Sequence, residues 1–130
     1  GGLKARHRET KKWGMYQYME KGPRELIPMQ YDSINFYLYN EKFTEVYNDG
    51  KVGFYLSYWS YHDRAKETVA CTYDDYRRVK TDGVTKLAVR RNGQWGWVDW
   101  LTGEEMSVFT YDSPAELPRQ TYRQRYRFMD

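Results

Sequence analysis

The chain has 130 residues but only one cysteine, four prolines and two histidines. A single cysteine excludes an internal disulfide and any cysteine-based zinc cluster. The histidines, His7 and His62, stand far apart with no cysteine pair between them, a poor spacing for zinc. No metal and no cofactor are therefore expected, and no glycine-rich phosphate loop is present. No run of about 18 apolar residues occurs, so no transmembrane segment is expected. Aliphatic residues are scarce as well: Leu, Ile, Val and Phe make up 22 of the 130 residues, a level at which disorder comes into question. What replaces them is 14 Tyr and 5 Trp on a chain of net charge +3. Each buried aromatic ring removes about 150–250 Å² from water and keeps its polar tip wet or bonded. The composition therefore predicts one folded domain over 1–130 with an aromatic core.

The small net charge hides a division. Lys4, Arg6, Arg8, Lys11 and Lys12 against Glu9 give residues 1–12 a net of +4, and Arg119, Arg123, Arg125 and Arg127 against Glu116 and Asp130 give 115–130 a net of +2. The stretch between is acidic, unlike a dedicated nucleic-acid domain with positive charge on its body. The chain starts Gly-Gly rather than Met, with no apolar stretch behind it, which reads as an added or truncated start and assigns no compartment.

Internal repetition organises the rest. Lys12-Trp13-Gly14, Lys51-Val52-Gly53 and Gln94-Trp95-Gly96 recur at intervals of 39 and 43; Tyr31-Asp32, Tyr73-Asp74 and Tyr111-Asp112 recur at 42 and 38. Two independent markers at nearly the same period define three repeats, about 12–50, 51–93 and 94–114. Asp49-Gly50 and Asn92-Gly93 suit the positive φ values of a type I′ hairpin turn. The alternating aromatic and β-branched residues around them are strand chemistry. A glycine inside a strand costs stability, so the Trp-Gly glycine marks a close approach of a neighbouring backbone or ring. Tyr-Asp reads as a strand-to-turn corner whose carboxylate caps backbone amides, rather than as a catalytic acid. Lys66–Tyr76 has room for one short helical turn and no more. The prediction is all-β: a curved or partly closed antiparallel meander of hairpins, with a threefold barrel of trefoil type as the alternative. Basic segments 3–8 and 121–128 alternate in character and read as flanking strands.

Trp13-Gly14, the stretch Leu26-Ile27-Pro28-Met29-Gln30-Tyr31-Asp32-Ser33-Ile34, then Phe43, Val46 and Asn48-Asp49-Gly50-Lys51 together resemble the bacterial WG repeat, as does Gln94-Trp95-Gly96-Trp97-Val98-Asp99. The likeness spans about residues 12–113; the second repeat departs, with Val52 for Trp and Val69-Ala70-Cys71-Thr72 in place of Ile-Pro-Met-Gln. The resemblance implies a β-rich binding module, often from exported or envelope-associated bacterial proteins. It carries no catalytic residue to transfer.

Candidate chemistry is thin. A Cys71–His62 dyad is conceivable, since nucleophile and base need only meet in space, but Cys71 stands where the first repeat has Met29, an apolar position. Glu104-Glu105 follows Gly103 in a turn and is expected to face solvent. Binding is the better class. The second repeat carries an insertion, Tyr55 to Arg64, in which Tyr58, Trp59, Tyr61, His62 and Arg64 form an aromatic-rich loop suited to a protein partner. The same rings would serve equally as continuing strand and core. The alternative surface is basic: Lys4, Arg6 and Arg8 with Arg123, Arg125 and Arg127 would attract nucleic acid or an anionic glycan.

Overall fold

The computed structural model describes residues 3–35, 43–56, 66–81, 84–100 and 102–117. Ten strands run along the chain: β1 (Leu3–Arg6), β2 (Trp13–Met19), β3 (Gly22–Tyr31), β4 (Ser33–Asn35), β5 (Phe43–Asn48), β6 (Lys51–Leu56), β7 (Lys66–Tyr73), β8 (Asp75–Thr81), β9 (Val84–Arg91) and β10 (Gln94–Val98). A single 3-10 turn, Pro114–Glu116, is the sole helical element among the described residues. The chain is all-β, in three antiparallel sheets ordered β1-β2-β3, β4-β5-β6-β7 and β8-β9-β10. Strand order follows chain order in each, which makes each a meander. Among the described residues these are separate open sheets, so the trefoil-type barrel does not form. The short helical turn expected within Lys66–Tyr76 is strand instead. Val69 and Tyr73 are buried and Cys71 is half-buried, while Glu67, Ala70 and Thr72 are exposed, an alternation near the strand period of two.

The chain divides into two compact units, 1–71 and 72–130. In the N-terminal unit, Met15, Ile27, Tyr31, Ile34, Val46 and Tyr55 form a buried cluster, with Trp13, Leu26 and Cys71 packed against it. In the C-terminal unit the buried apolar residues include Leu87, Val89, Trp95, Trp97 and Val98. Indole and phenol rings thus supply much of the core that aliphatic side chains are too few to fill.

Of the three turns that lead into the strands carrying Trp13, Val52 and Trp95, two are the two-residue kind. Asp49 and Gly50 take φ values of 53° and 75°, Asn92 and Gly93 of 54° and 79°, the left-handed pair that a type I′ turn needs. The first turn lacks such a pair and is longer. The His7 amide donates to the Lys12 carbonyl at 2.8 Å, the Glu9 and Thr10 amides donate to His7 Nδ1 at 3.1 and 3.3 Å, and Lys11 takes the positive φ of 64°. The basic segment expected as strand over 3–8 therefore ends at Arg6, and His7 and Arg8 belong to the turn. The segment 121–128 lies outside the described residues.

Cross-strand register makes the repeats superimpose. Gly14, Gly53 and Gly96 stand opposite Ala5, Val46 and Val89. The residue before each glycine, Trp13, Val52 or Trp95, stands opposite Arg6, Tyr47 or Arg90. On their other side the glycines are crowded. A Cβ on Gly14 would lie 2.5 Å from the Ile27 carbonyl oxygen and 2.8 Å from the Met29 amide; on Gly53, 2.5 Å from the Val69 oxygen and 2.7 Å from the Cys71 amide. On Gly96 it would meet the Phe109 ring at 2.7 Å. Close approach by a neighbouring strand's main chain at Gly14 and Gly53, and by the Phe109 ring at Gly96, is thus why each position holds glycine. Met29, Cys71 and Phe109 occupy the same place in successive repeats, the place the sequence assigns to Cys71.

Candidate binding surface

The first two Tyr-Asp corners each make two links into the next repeat. The Asp32 amide donates to the Tyr47 carbonyl and the Asp74 amide to the Arg90 carbonyl, both at 2.8 Å. The Asp32 carboxylate then accepts the Asp49 amide at 2.8 Å, and Asp74 accepts the Asn92 amide at 3.1 Å. The carboxylates are caps, as expected, but for the next hairpin's type I′ turn rather than for their own corner. Asp32 also pairs with Lys12, and this hydrogen bond, with the cap on Asp49, holds its carboxyl below the usual range.

The tyrosines of the same corners reach a carboxylate. Tyr31 donates to Glu67 Oε2 at 2.6 Å, and Tyr73 to Glu105 Oε2 at 2.7 Å. Glu25, Glu67 and Glu105 each precede the tyrosine of their own repeat by six positions. They are a third marker of the repeat, present in the sequence and missed because only two markers were aligned. Tyr31 OH is also hydrogen-bonded to Tyr55 OH at 2.9 Å, with the rings edge-to-face at 5.6 Å. Burial, followed by the Glu67 carboxylate, raises the Tyr31 phenol far above its ordinary value. Burial also raises the Tyr55 phenol, and burial together with Glu105 raises that of Tyr73. All three stay neutral donors at any physiological pH. Glu105 is exposed, as expected, but it also accepts Tyr73 and pairs with Arg91, whose guanidinium lies 4.2 Å from the Phe109 ring centroid. Those partners follow from the repeat, in which Glu105 is the counterpart of Glu67.

Beside the β2–β3 hairpin lies a pocket of about 530 Å³ lined by residues that include Met19, Arg24, Glu25, Pro28, Tyr55 and Glu67. Its volume falls within the range of small-ligand and side-chain pockets. Its lining sets the carboxylates of Glu25 and Glu67 and the Tyr55 phenol beside Lys21 and Arg24, with Met19, Leu26 and Pro28 among them, a mixed polar surface.

Of the residues the sequence singled out, Lys4 and Arg6 sit together on β1. Lys4 Nζ is 5.2 Å and Arg6 Cζ 5.7 Å from the Trp13 ring centroid, and Lys4 donates to the Ile34 carbonyl at 3.3 Å. Part of the basic surface is thus directed at an indole. Arg90 repeats the arrangement over Trp95 at 5.9 Å. Arg8 is exposed in the first turn. Tyr58, Trp59, Tyr61, His62 and Arg64, and likewise Arg123, Arg125 and Arg127, lie outside the described residues. Cys71 is half-buried, donates to the Val46 carbonyl at 3.4 Å, and has its thiol pushed up to about 11, chiefly by burial and then by Glu67. Among the described residues, no group of three or more His, Cys, Asp or Glu side chains is arranged to hold a metal ion, and no helix is long and apolar enough to cross a membrane.

No protein-family model, curated protein or solved structure matches this chain.

Proposed function

We propose that this chain is a non-catalytic binding module of the WG-repeat kind, which presents an aromatic β surface to a protein partner. The observation that carries the reading is how the frame uses its reactive side chains. Asp32 and Asp74 cap turns, Glu67 and Glu105 accept phenols, and the Cys71 thiol is held in its protonated form, where it is a poor nucleophile. Chemistry spent on holding the repeats leaves shape, rings and an open pocket as the means of recognition.

Panning a random dodecapeptide library on the full chain tests this. The expected result is selected peptides with micromolar Kd that slow amide exchange in named strands. A chain that retains no peptide above background refutes the module, as does one that hydrolyses chromogenic esters, phosphates or glycosides with a rate lost in Glu67→Gln or Cys71→Ala. A second reading, a polyanion or glycan surface, is favoured by Lys4 and Arg6 sharing β1. It predicts heparin binding whose affinity falls steeply with salt, and absence of heparin binding at low salt removes it.

A further inference from the structure

Among the described residues, the four-stranded sheet has a strand position that the first sheet leaves open. By register, Arg6, Ala5 and Lys4 of β1 correspond to Tyr47, Val46 and Glu45 of β5 and to Arg90, Val89 and Ala88 of β9, because each set faces the same residues around the strand glycine. β5 and β9 carry a further strand on their other side. There Ser33 and Ile34 lie opposite Tyr47 and Val46, and Asp75 and Tyr76 opposite Arg90 and Val89. Among the described residues β1 has no such neighbour. The consequence shows in burial: Val46 and Val89 are 0% exposed, whereas Ala5 is half-exposed. Glu25 tells the same story. Its counterparts Glu67 and Glu105 accept the tyrosine of a preceding Tyr-Asp at 2.6 and 2.7 Å, while among the described residues Glu25 accepts Tyr16 OH, at 3.4 Å, and no tyrosine of a Tyr-Asp pair.

Resting on the protein-partner reading above, we propose that the β1 edge binds an extended segment of a partner protein with the pattern Tyr-Asp-acidic-apolar, added as a fourth strand. Every position of the pattern has a counterpart within the chain. The tyrosine donates to Glu25 as Tyr31 does to Glu67. The aspartate caps the first turn at Arg8, the position of Asp49 and Asn92. The acidic residue faces Arg6 as Asp75 faces Arg90, and the apolar residue covers Ala5 as Ile34 covers Val46. Main-chain pairing supplies affinity and the alternate side chains supply selection, as in other strand additions. The net charge of +4 on residues 1–12 draws an acidic segment in. A second copy of this chain fits poorly. Pairing β1 with itself sets Lys4 and Arg6 against like charges. The copy's own Tyr111-Asp112 is followed by Pro114 at the apolar position, inside a 3-10 turn, with the Asp112 and Ser113 amides already donating to Glu116.

The test is fluorescence anisotropy of labelled Tyr-Asp-Asp-Ile-Glu-Val-Glu on the full chain at low salt. Saturable micromolar binding is expected, and Arg6→Glu weakens it about five- to tenfold, the range for reversing a cross-strand charge pair. Glu25→Gln separates this arrangement from simple charge attraction. Removing a negative charge would tighten binding of an acidic peptide, whereas exchanging the carboxylate acceptor of its tyrosine for a weaker neutral amide oxygen weakens it. Near-ultraviolet circular dichroism establishes that each variant is folded, and Glu25, being exposed, is a mild substitution should Arg6→Glu not fold. Equal binding of a scrambled peptide overturns the proposal, as does tighter binding by Glu25→Gln. Self-association abolished by Tyr111→Phe overturns it too, by making a second copy the occupant. If library peptides bind but protect strands other than β1 and β2, this proposal falls and the module reading stands; if no peptide binds at all, both fall.

Discussion

Replacing Gly53 by alanine is the sharpest test of how the repeats pack. A Cβ there would meet main chain on three sides: the Val69 carbonyl oxygen at 2.5 Å, the Cys71 amide nitrogen at 2.7 Å and the Ala70 carbonyl carbon at 2.8 Å. None of these atoms belongs to a side chain that can rotate away, so β7 must shift bodily. Overpacking of that kind costs about 1–3 kcal/mol, and the upper part of the range applies where backbone is the obstacle. Alanine recovers about 0.5–1 kcal/mol because glycine loses more freedom on folding. The net loss is about 2 kcal/mol, or about 10 °C in the melting temperature of a unit this size. Gly96→Ala gives the contrast. There the obstacle is the Phe109 ring, which stacks on Tyr73 at 5.9 Å but remains a side chain, so the loss is about half as large. Phe109→Leu in the same chain relieves it, and a double-mutant cycle reads the coupling. Thermal unfolding followed in the near-ultraviolet, where tryptophan reports, measures all three. A Gly53→Ala chain melting within about 2 °C of the parent would refute close approach as the reason for the glycine.

Three further outcomes follow from the same contacts. Asp74→Ala removes the acceptor of the Asn92 amide and lowers stability by about 1 kcal/mol, whereas Asp112→Ala stays within about 0.5 kcal/mol; denaturant titration separates them. The Glu105 carboxyl is held below its ordinary value, first by its hydrogen bond from Arg91, with Tyr73 helping. Its contribution is therefore present above that value and lost as pH falls through the lower folded-state value, so acid melts the parent more steeply than it melts Glu105→Gln. Because the Cys71 thiol sits at about 11, iodoacetamide at neutral pH modifies it about a hundredfold more slowly than a free cysteine, and a rate equal to that of free cysteine would contradict its burial.

The parts of the fold legible in the sequence were those fixed by local chemistry. Asp49-Gly50 and Asn92-Gly93 announce type I′ turns because few residue pairs tolerate two successive positive φ values. The strand glycines announce a close neighbour because nothing else compensates for glycine in a strand. What escaped was long-range. Glu105 is exposed, as its neighbours Gly103 and Glu104 suggest, but its partner Tyr73 lies 32 positions away and nothing local announces it. The third marker, a glutamate six residues before each Tyr-Asp, carries no local turn or strand signal, so only alignment of the repeats exposes it. The first turn resisted for the opposite reason. It substitutes the His7 imidazole for the missing Asn-Gly or Asp-Gly, a solution with no sequence signature of its own.

The sheets are out of phase with the repeats by about half a period, and this offset explains more than either pattern alone. A repeat begins at its Trp-Gly strand, but the four-stranded sheet begins after a Tyr-Asp corner, with β4, and ends at the next, with β7. Each such sheet is therefore built from the back half of one repeat and the front half of the next, and the Tyr–Glu and Asp–turn links cross that join. Neither half could bury its apolar face alone, so the residues that join repeats also complete the core: Tyr31, which donates to Glu67, is itself 1% exposed. Among the described residues β1 edges the first Trp-Gly strand with no further strand beyond it. Glu25, Ala5 and the Arg8 turn then form the receiving half of a join, with acceptor, apolar seat and turn already placed by the β1–β2–β3 sheet.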